Sequence, residues 1–171
     1  VALRSTILLA LCVNLLIACG DLPRRPVLVR ALNVGPPVVG PIDDYATADQ
    51  DPTLLRTARK MLGHPYRWGG YSPDKGFDCS GLIYYVYGQH GRSVPRTAEA
   101  QYAYARPVAF SQIRPGDLVF FRLYRNDVSH VGIYLGEYLF IHAPSTGKRV
   151  TYSSLRDAFW QTRFVGAGRI L

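Results

Sequence analysis

The order in which helical and strand-like patterns follow one another limits the architecture of this chain more than any other feature. Leu54, Leu55, Ala58, Met61 and Leu62 recur on one helical face. Asp51-Pro52-Thr53 reads as the start of that helix, since proline is tolerated in a first turn. Gly63, Pro65, Gly69, Gly70, Pro73 and Gly76 then interrupt any regular period, which predicts a long loop from Gly63 to Asp78. Leu82, Ile83, Val86 and Tyr87 predict a second helix, stopping near Gly88 or Gly91. The second half carries short β-branched or aromatic runs at 118–121, 131–135, 138–142 and 164–171, separated by turn residues. A parallel sheet would show helices alternating with its strands. Helices first and strands afterwards predict an α+β domain with an antiparallel sheet.

The 171 residues, 48% hydrophobic and 19% charged, suffice for one such domain with some chain to spare. After Arg4 the stretch Ile7 to Ala18 is apolar except for Asn14. It falls short of the roughly 20 residues a spanning helix needs and suits a signal-peptide core. Its end, Leu16-Ile17-Ala18-Cys19, resembles the lipobox of bacterial lipoproteins, which implies a lipidated Cys19; Cys12, preceded by bulky Leu11, fits that role poorly. Between Gly20 and Asp51, Pro23, Pro26, Pro36, Pro37 and Pro41 fall among Gly, Val and Arg without a sustained period. Such a linker of about 30 residues reaches on the order of 100 Å when extended. The expected organisation is a signal peptide at 1–18, a lipidated cysteine and Pro-rich linker at 19–51, and a folded domain at 52–171. In that arrangement Cys79 remains as a free thiol in an extracytoplasmic compartment, where lone thiols are uncommon.

Asp78-Cys79-Ser80-Gly81 stands where the long loop gives way to the second helix. Amides at a helix N-terminus point towards such a sulfur and the macrodipole favours negative charge, so a lowered thiol pKa is expected. Asp78 is placed to cap the helix, and Gly81 permits a close approach by the first turn or by substrate. The Cys79 N–H is also available to a developing oxyanion. The bland alternative is a small buried core cysteine.

A thiolate that attacks acyl carbons needs an imidazole partner and a third polar group to orient it. His64 and His90 lie in turn-like surroundings, whereas His130 and His142 bracket what reads as one hairpin. Side chains alternate faces along a strand. A two-residue turn at Gly136-Glu137 would therefore oppose His130 to Ala143 and send His142 to the other face. The two histidines share a face only with an odd loop centred on Gly136 or an equivalent bulge, which is the expectation if they act together.

Other chemistries find less support. No Cys-x-x-Cys or His-Glu-x-x-His spacing is present, so no metal site is expected. The net charge of +8 is spread along the chain with no basic block, which suits general attraction to polyanions and gives no nucleic-acid motif.

Several segments in fixed order resemble the NlpC family of papain-like cell-wall endopeptidases. They are Pro65-Tyr66-Arg67-Trp68-Gly69-Gly70, Asp78-Cys79-Ser80-Gly81-Leu82, Val94-Pro95-Arg96-Thr97-Ala98, 114–121, 130–134 and His142-Ala143. The resemblance covers about residues 52–171. It implies a papain-like α+β fold with the nucleophile helix packed on a central antiparallel sheet. It further implies Cys79 as nucleophile, His130 as base and His142 as the third polar residue. Tyr66 is expected at the cleft near the sulfur, with Ser80 and Arg96 as further substrate contacts; Arg67, Arg122 and Arg125 are additional basic candidates. The implied substrate is the peptide stem of peptidoglycan, at the D-Ala–diaminopimelate or D-Glu–diaminopimelate bond, with no cofactor. The implied setting is the bacterial envelope, lipid-anchored at the outer membrane and facing the periplasm, with any regulatory adaptor unidentified. The competing expectation is a catalytically idle wall-binding lipoprotein with the same fold.

Overall fold

The computed structural model describes residues 52–124 and 126–170. The expected signal segment, Cys19, the linker and Arg125 lie outside the described residues. Helix α1, Pro52–Lys60, begins at the expected proline and buries Leu54, Leu55 and Ala58. Helix α2, Cys79–Gly88, packs against α1 and buries Leu82, Ile83 and Val86. The predicted loop between them holds a small antiparallel hairpin, β1 (Tyr71–Ser72) and β2 (Gly76–Phe77). Two-residue strands leave no periodicity in a sequence, and the Gly and Pro residues around them read only as turns.

After α2 come α3 (Ala98–Tyr104), β3 (Arg106–Val108), a 3₁₀ turn (Phe110–Gln112), β4 (Leu118–Phe121) and β5 (His130–Gly136). They are followed by β6 (Leu139–His142), β7 (Thr151–Ser154), α4 (Ala158–Gln161) and β8 (Phe164–Arg169). Strands β3 to β8 form one antiparallel sheet in the order β3-β8-β4-β5-β6-β7. The four expected strands are present. α3, β3, β7 and α4 were not anticipated, because none shows an apolar stripe; α3 buries only Ala98 and Gln101.

The sheet has a core on each face. Val131, Ile133, Leu135 and Ile141 pack towards α1 and α2, while Val119, Phe121, Tyr134, Phe140, Leu155 and Trp160 form an aromatic cluster on the other side. A strand covered on both faces needs no polar alternation. Leu118 to Phe121 is accordingly apolar and fully buried at every position.

The β5–β6 hairpin meets the parity condition by a bulge. Glu137 and Tyr138 form its two-residue turn, both at positive φ (48° and 66°), as the twist of a tight hairpin favours. Alone, that turn would separate the histidines. Between the Gly136↔Leu139 and Tyr134↔Phe140 pairs the register shifts, so that Leu135 and Gly136 together oppose Leu139. The extra residue returns His130 and His142 to one face. They meet diagonally rather than directly opposite, since the register of Ile133↔Ile141 carries His142 to the level of Gly132.

Candidate active site

Cys79 is the first residue of α2, and the helix begins there because Asp78 caps it. The Asp78 backbone is extended, and its Oδ1 accepts from the Gly81 amide at 2.7 Å. Oδ2 accepts from the Gly69 amide at 2.9 Å, which ties the preceding loop to the same carboxylate. Gly81 is required by close packing within the chain: a Cβ there would collide with the Gly70 carbonyl oxygen.

Arg96 completes this arrangement. Its guanidinium grips Asp78 with two parallel bonds of 2.9 and 2.8 Å and also reaches Ser80 Oγ at 3.1 Å and the Gly70 carbonyl at 3.1 Å. Ser80 Oγ in turn donates to Asp78 at 3.2 Å. Both Ser80 and Arg96 line the cleft, but their polar atoms are engaged in holding the turn that carries Cys79. Arg67 and Arg122 are exposed and lie outside the cleft lining.

The cleft is a groove of about 930 Å³ that brings Cys79, His130, Tyr66 and Arg96 to a common space. Trp68 and Tyr124 stand on its walls, 88% and 67% exposed. Tyr66 is half-buried, and its hydroxyl is pushed up to about 12 by burial first and then by Cys79, Asp78 and Tyr124. His64 and His90 are elsewhere. His64 bonds the Met61 carbonyl and packs edge-on to Phe77, while His90 bonds Thr57.

His130 Nε2 lies 2.8 Å from His142 Nδ1, with the two rings perpendicular. His142 Nε2 lies 3.0 Å from Ser153 Oγ on β7. The chain of contacts permits one useful assignment of protons. If His130 carries its hydrogen on Nε2 it donates to His142, which then donates from its own Nε2 to Ser153. His130 Nδ1 is left with a free lone pair. Trp160 stacks on His130 with centroids 5.5 Å apart and meets His142 edge-on at 4.9 Å. Ser153 and Trp160 were not foreseen from the sequence.

The electrostatics differ from the expectation of a lowered thiol pKa. Burial and the neighbouring Asp78 carboxylate push Cys79 up to about 11, against the amides of Val131, Ser80 and Cys79 itself, which pull it down. Burial is the larger of the two raising effects, and the Asp78 carboxylate adds to it. Burial holds His130 down at about 3, and His142 is also lowered, by burial and by His130. Each group alone is therefore held neutral.

The NlpC/P60 family model matches residues 63–169 of this chain. The chain is 47% identical over 121 residues to the probable endopeptidase YafL of Escherichia coli K12, covering 68% of this chain and 49% of that protein. It is 46% identical over 116 residues to the murein DD-endopeptidase MepH of the same organism, covering 66% and 43% respectively. It thus spans about half or less of the length of these relatives. A crystal structure of an NLP/P60 protein from Staphylococcus aureus, described as similar to lipoprotein, superposes with a TM-score of 0.65 at 39% identity, covering 70% of this chain and 40% of that one. Sequence, fold and the order of the motifs agree: the chain belongs to the NlpC/P60 family.

Proposed function

We propose that residues 52–171 are the catalytic domain of a peptidoglycan endopeptidase that works through a cysteine acyl-enzyme. The observation that carries this reading is the 2.8 Å contact of His130 with His142 beside a cleft that His130 shares with Cys79. On binding of a stem peptide, the Cys79 proton passes to His130 Nδ1 as Sγ attacks the carbonyl carbon. The oxyanion that develops takes a hydrogen bond from the Cys79 amide. Collapse breaks the C–N bond, and the imidazolium returns its proton to the departing amine. Water, deprotonated by His130, then hydrolyses the thioester and restores the thiol. His142 holds the His130 ring and its tautomer, and Ser153 holds His142. Tyr66 contributes its hydroxyl to the cleft.

Between the two candidate bonds we take the D-alanyl–diaminopimelate cross-link, in keeping with likeness to a murein DD-endopeptidase, with D-glutamyl–diaminopimelate as the alternative that likeness to a gamma-DL-glutamyl hydrolase supports. We further propose that residues 1–18 are a signal peptide, that Cys19 is lipidated and that 19–51 tether the domain to the outer membrane, facing the periplasm. The lipobox-like Leu16-Ile17-Ala18-Cys19 supports this part. The deciding experiment incubates the protein with purified sacculi and identifies released muropeptides by mass spectrometry. Cleavage of cross-linked dimers by wild type and none by Cys79→Ala is expected. No release, or equal release by the variant, overturns the reading. Incorporation of labelled palmitate, lost in Cys19→Ala, tests the anchor.

A further inference from the structure

At the end of the sheet away from the catalytic cleft, the ladder sets two like charges face to face. Arg106 on β3 and Arg169 on β8 are direct cross-strand partners. Like charges directly opposite destabilise a sheet unless something between them compensates. One side has a partner. Arg169 bonds the Asp117 carboxylate at 2.6 and 2.8 Å, and Asp117 is 1% exposed at the head of β4. The next register position, Leu118↔Gly168, shows that Arg106, Arg169 and Asp117 run in one row across three strands.

The row opens into a cavity of about 500 Å³ between β3, the end of β8 and the segment following the 3₁₀ turn, which brings a third guanidinium, Arg114. Its backbone amide bonds Asp117 at 2.8 Å, fixing the segment in place. Among the described residues the Arg106 and Arg114 side chains have no hydrogen-bond or ion-pair partner. Of the three arginines that line the cavity only Arg169 is paired with the carboxylate, and the exposed Arg106 and Arg114 carry two positive charges without a protein partner. The cavity shares no residue with the cleft that holds Cys79 and His130. The two lie towards opposite ends of β4.

We propose that this cavity is a binding site for a phosphate-type dianion. A phosphomonoester carries about −1.5 to −2 charge at neutral pH and three acceptor oxygens, matching two planar guanidinium forks. A single carboxylate supplies one charge and leaves one arginine unmatched. A bound dianion also relieves the repulsion between Arg106 and Arg169. The same phosphate chemistry arises in a soluble phosphate and in a lipid headgroup, and the sources are separable by experiment. The site stands independently of the peptidase reading.

The test titrates the full chain with inorganic phosphate by calorimetry, with acetate as the monovalent control. Saturable one-to-one phosphate binding is expected, weakened about tenfold by Arg106→Gln or Arg114→Gln, the scale of one charge-assisted hydrogen bond. Lys60→Gln, which removes an exposed charge on α1, leaves it unchanged. Arg106→Lys and Arg114→Lys, which keep the charge and lose the fork, fall between. Thermal melts confirm that each variant is folded, and sacculus hydrolysis in solution is expected to be unaltered. Sedimentation with phosphatidylcholine vesicles, with and without phosphatidic acid, distinguishes the sources. Retention that needs phosphatidic acid and both arginines identifies a headgroup; phosphate binding without retention identifies a soluble ligand. No saturable phosphate binding by wild type, or an equal loss in Lys60→Gln, overturns the proposal.

Discussion

Gly132 leaves the space that His142 occupies. A Cβ on Gly132 would stand 3.3 Å from the His142 Cβ and 2.6 Å from a ring carbon of Phe140. Both neighbours are buried, so neither can swing aside. Gly132→Ala is expected to cost about 2 kcal/mol by overpacking and to displace the His142 ring from His130. Urea unfolding reads the first effect and muropeptide release the second. A variant as stable and active as wild type would show that the strand has slack at this point.

Ser153 is expected to act through His142. In Ser153→Ala the His142 Nε2–H loses its acceptor and the tautomer that frees His130 Nδ1 is less favoured. A fall in kcat of about tenfold with KM little changed is expected, in line with other partners that orient a catalytic imidazole. Ser153→Thr keeps the hydroxyl and restores most of the rate. Steady-state kinetics on a soluble cross-linked muropeptide measures both.

The thiol should depend on its imidazole for ionisation. With His130 replaced by Ala the thiol loses the base that takes its proton, while burial and Asp78 still hold its pKa up. The rate of iodoacetamide alkylation against pH reports it, with wild type reacting at lower pH than His130→Ala. Coincident profiles would mean that His130 does not accept the thiol proton.

Acid should destabilise the fold through the same histidines. The folded-state pKa of His130 is lowered from 6.5 to about 3, and that of His142 is also lowered. Between those values the unfolded chain binds more protons than the folded one, so stability is complete above about 6.5 and is lost as the pH falls. Urea midpoints measured from pH 7 down to pH 4 should decline, and the slope should shrink in a His130→Asn/His142→Asn variant.

Arg96 is expected to matter for stability before it matters for substrate. Arg96→Ala leaves the Asp78 carboxylate, whose side chain is 12% exposed, without its partner. The cost is about 2 kcal/mol, less than for a fully buried pair because Arg96 itself is 33% exposed. Thermal melts with and without Arg96→Lys, which restores charge but not the fork, check it.

What the sequence disclosed depended on whether a residue's chemistry was local. Cys79 at a loop-to-helix junction, Asp78 as cap and the histidines bracketing a hairpin are visible within short windows, and parity asked for an odd loop centred on Gly136 or an equivalent bulge if the histidines act together; the register shift at Leu135 and Gly136 is that bulge. Ser153 was hidden in Thr151-Tyr152-Ser153-Ser154, a polar edge strand with no hydrophobic period; only the β6–β7 register brings it under His142. Trp160 sits on a helix of four residues, too short to leave a pattern. Arg96 looked like a free charge for substrate because its partner lies eighteen positions away. The thiol pKa went the other way for a related reason: burial is a property of the folded cleft and cannot be weighed from the motif.

One carboxylate, that of Asp78, receives the Gly69 amide from the loop bearing Tyr66 and Trp68, the Gly81 amide from α2 and the guanidinium ahead of α3. Three stretches of backbone that form the cleft wall are pinned at a single point. The groove is therefore set before any ligand arrives, and association should proceed as rigid docking. Little ordering entropy is then lost on this side of the groove when a ligand is captured.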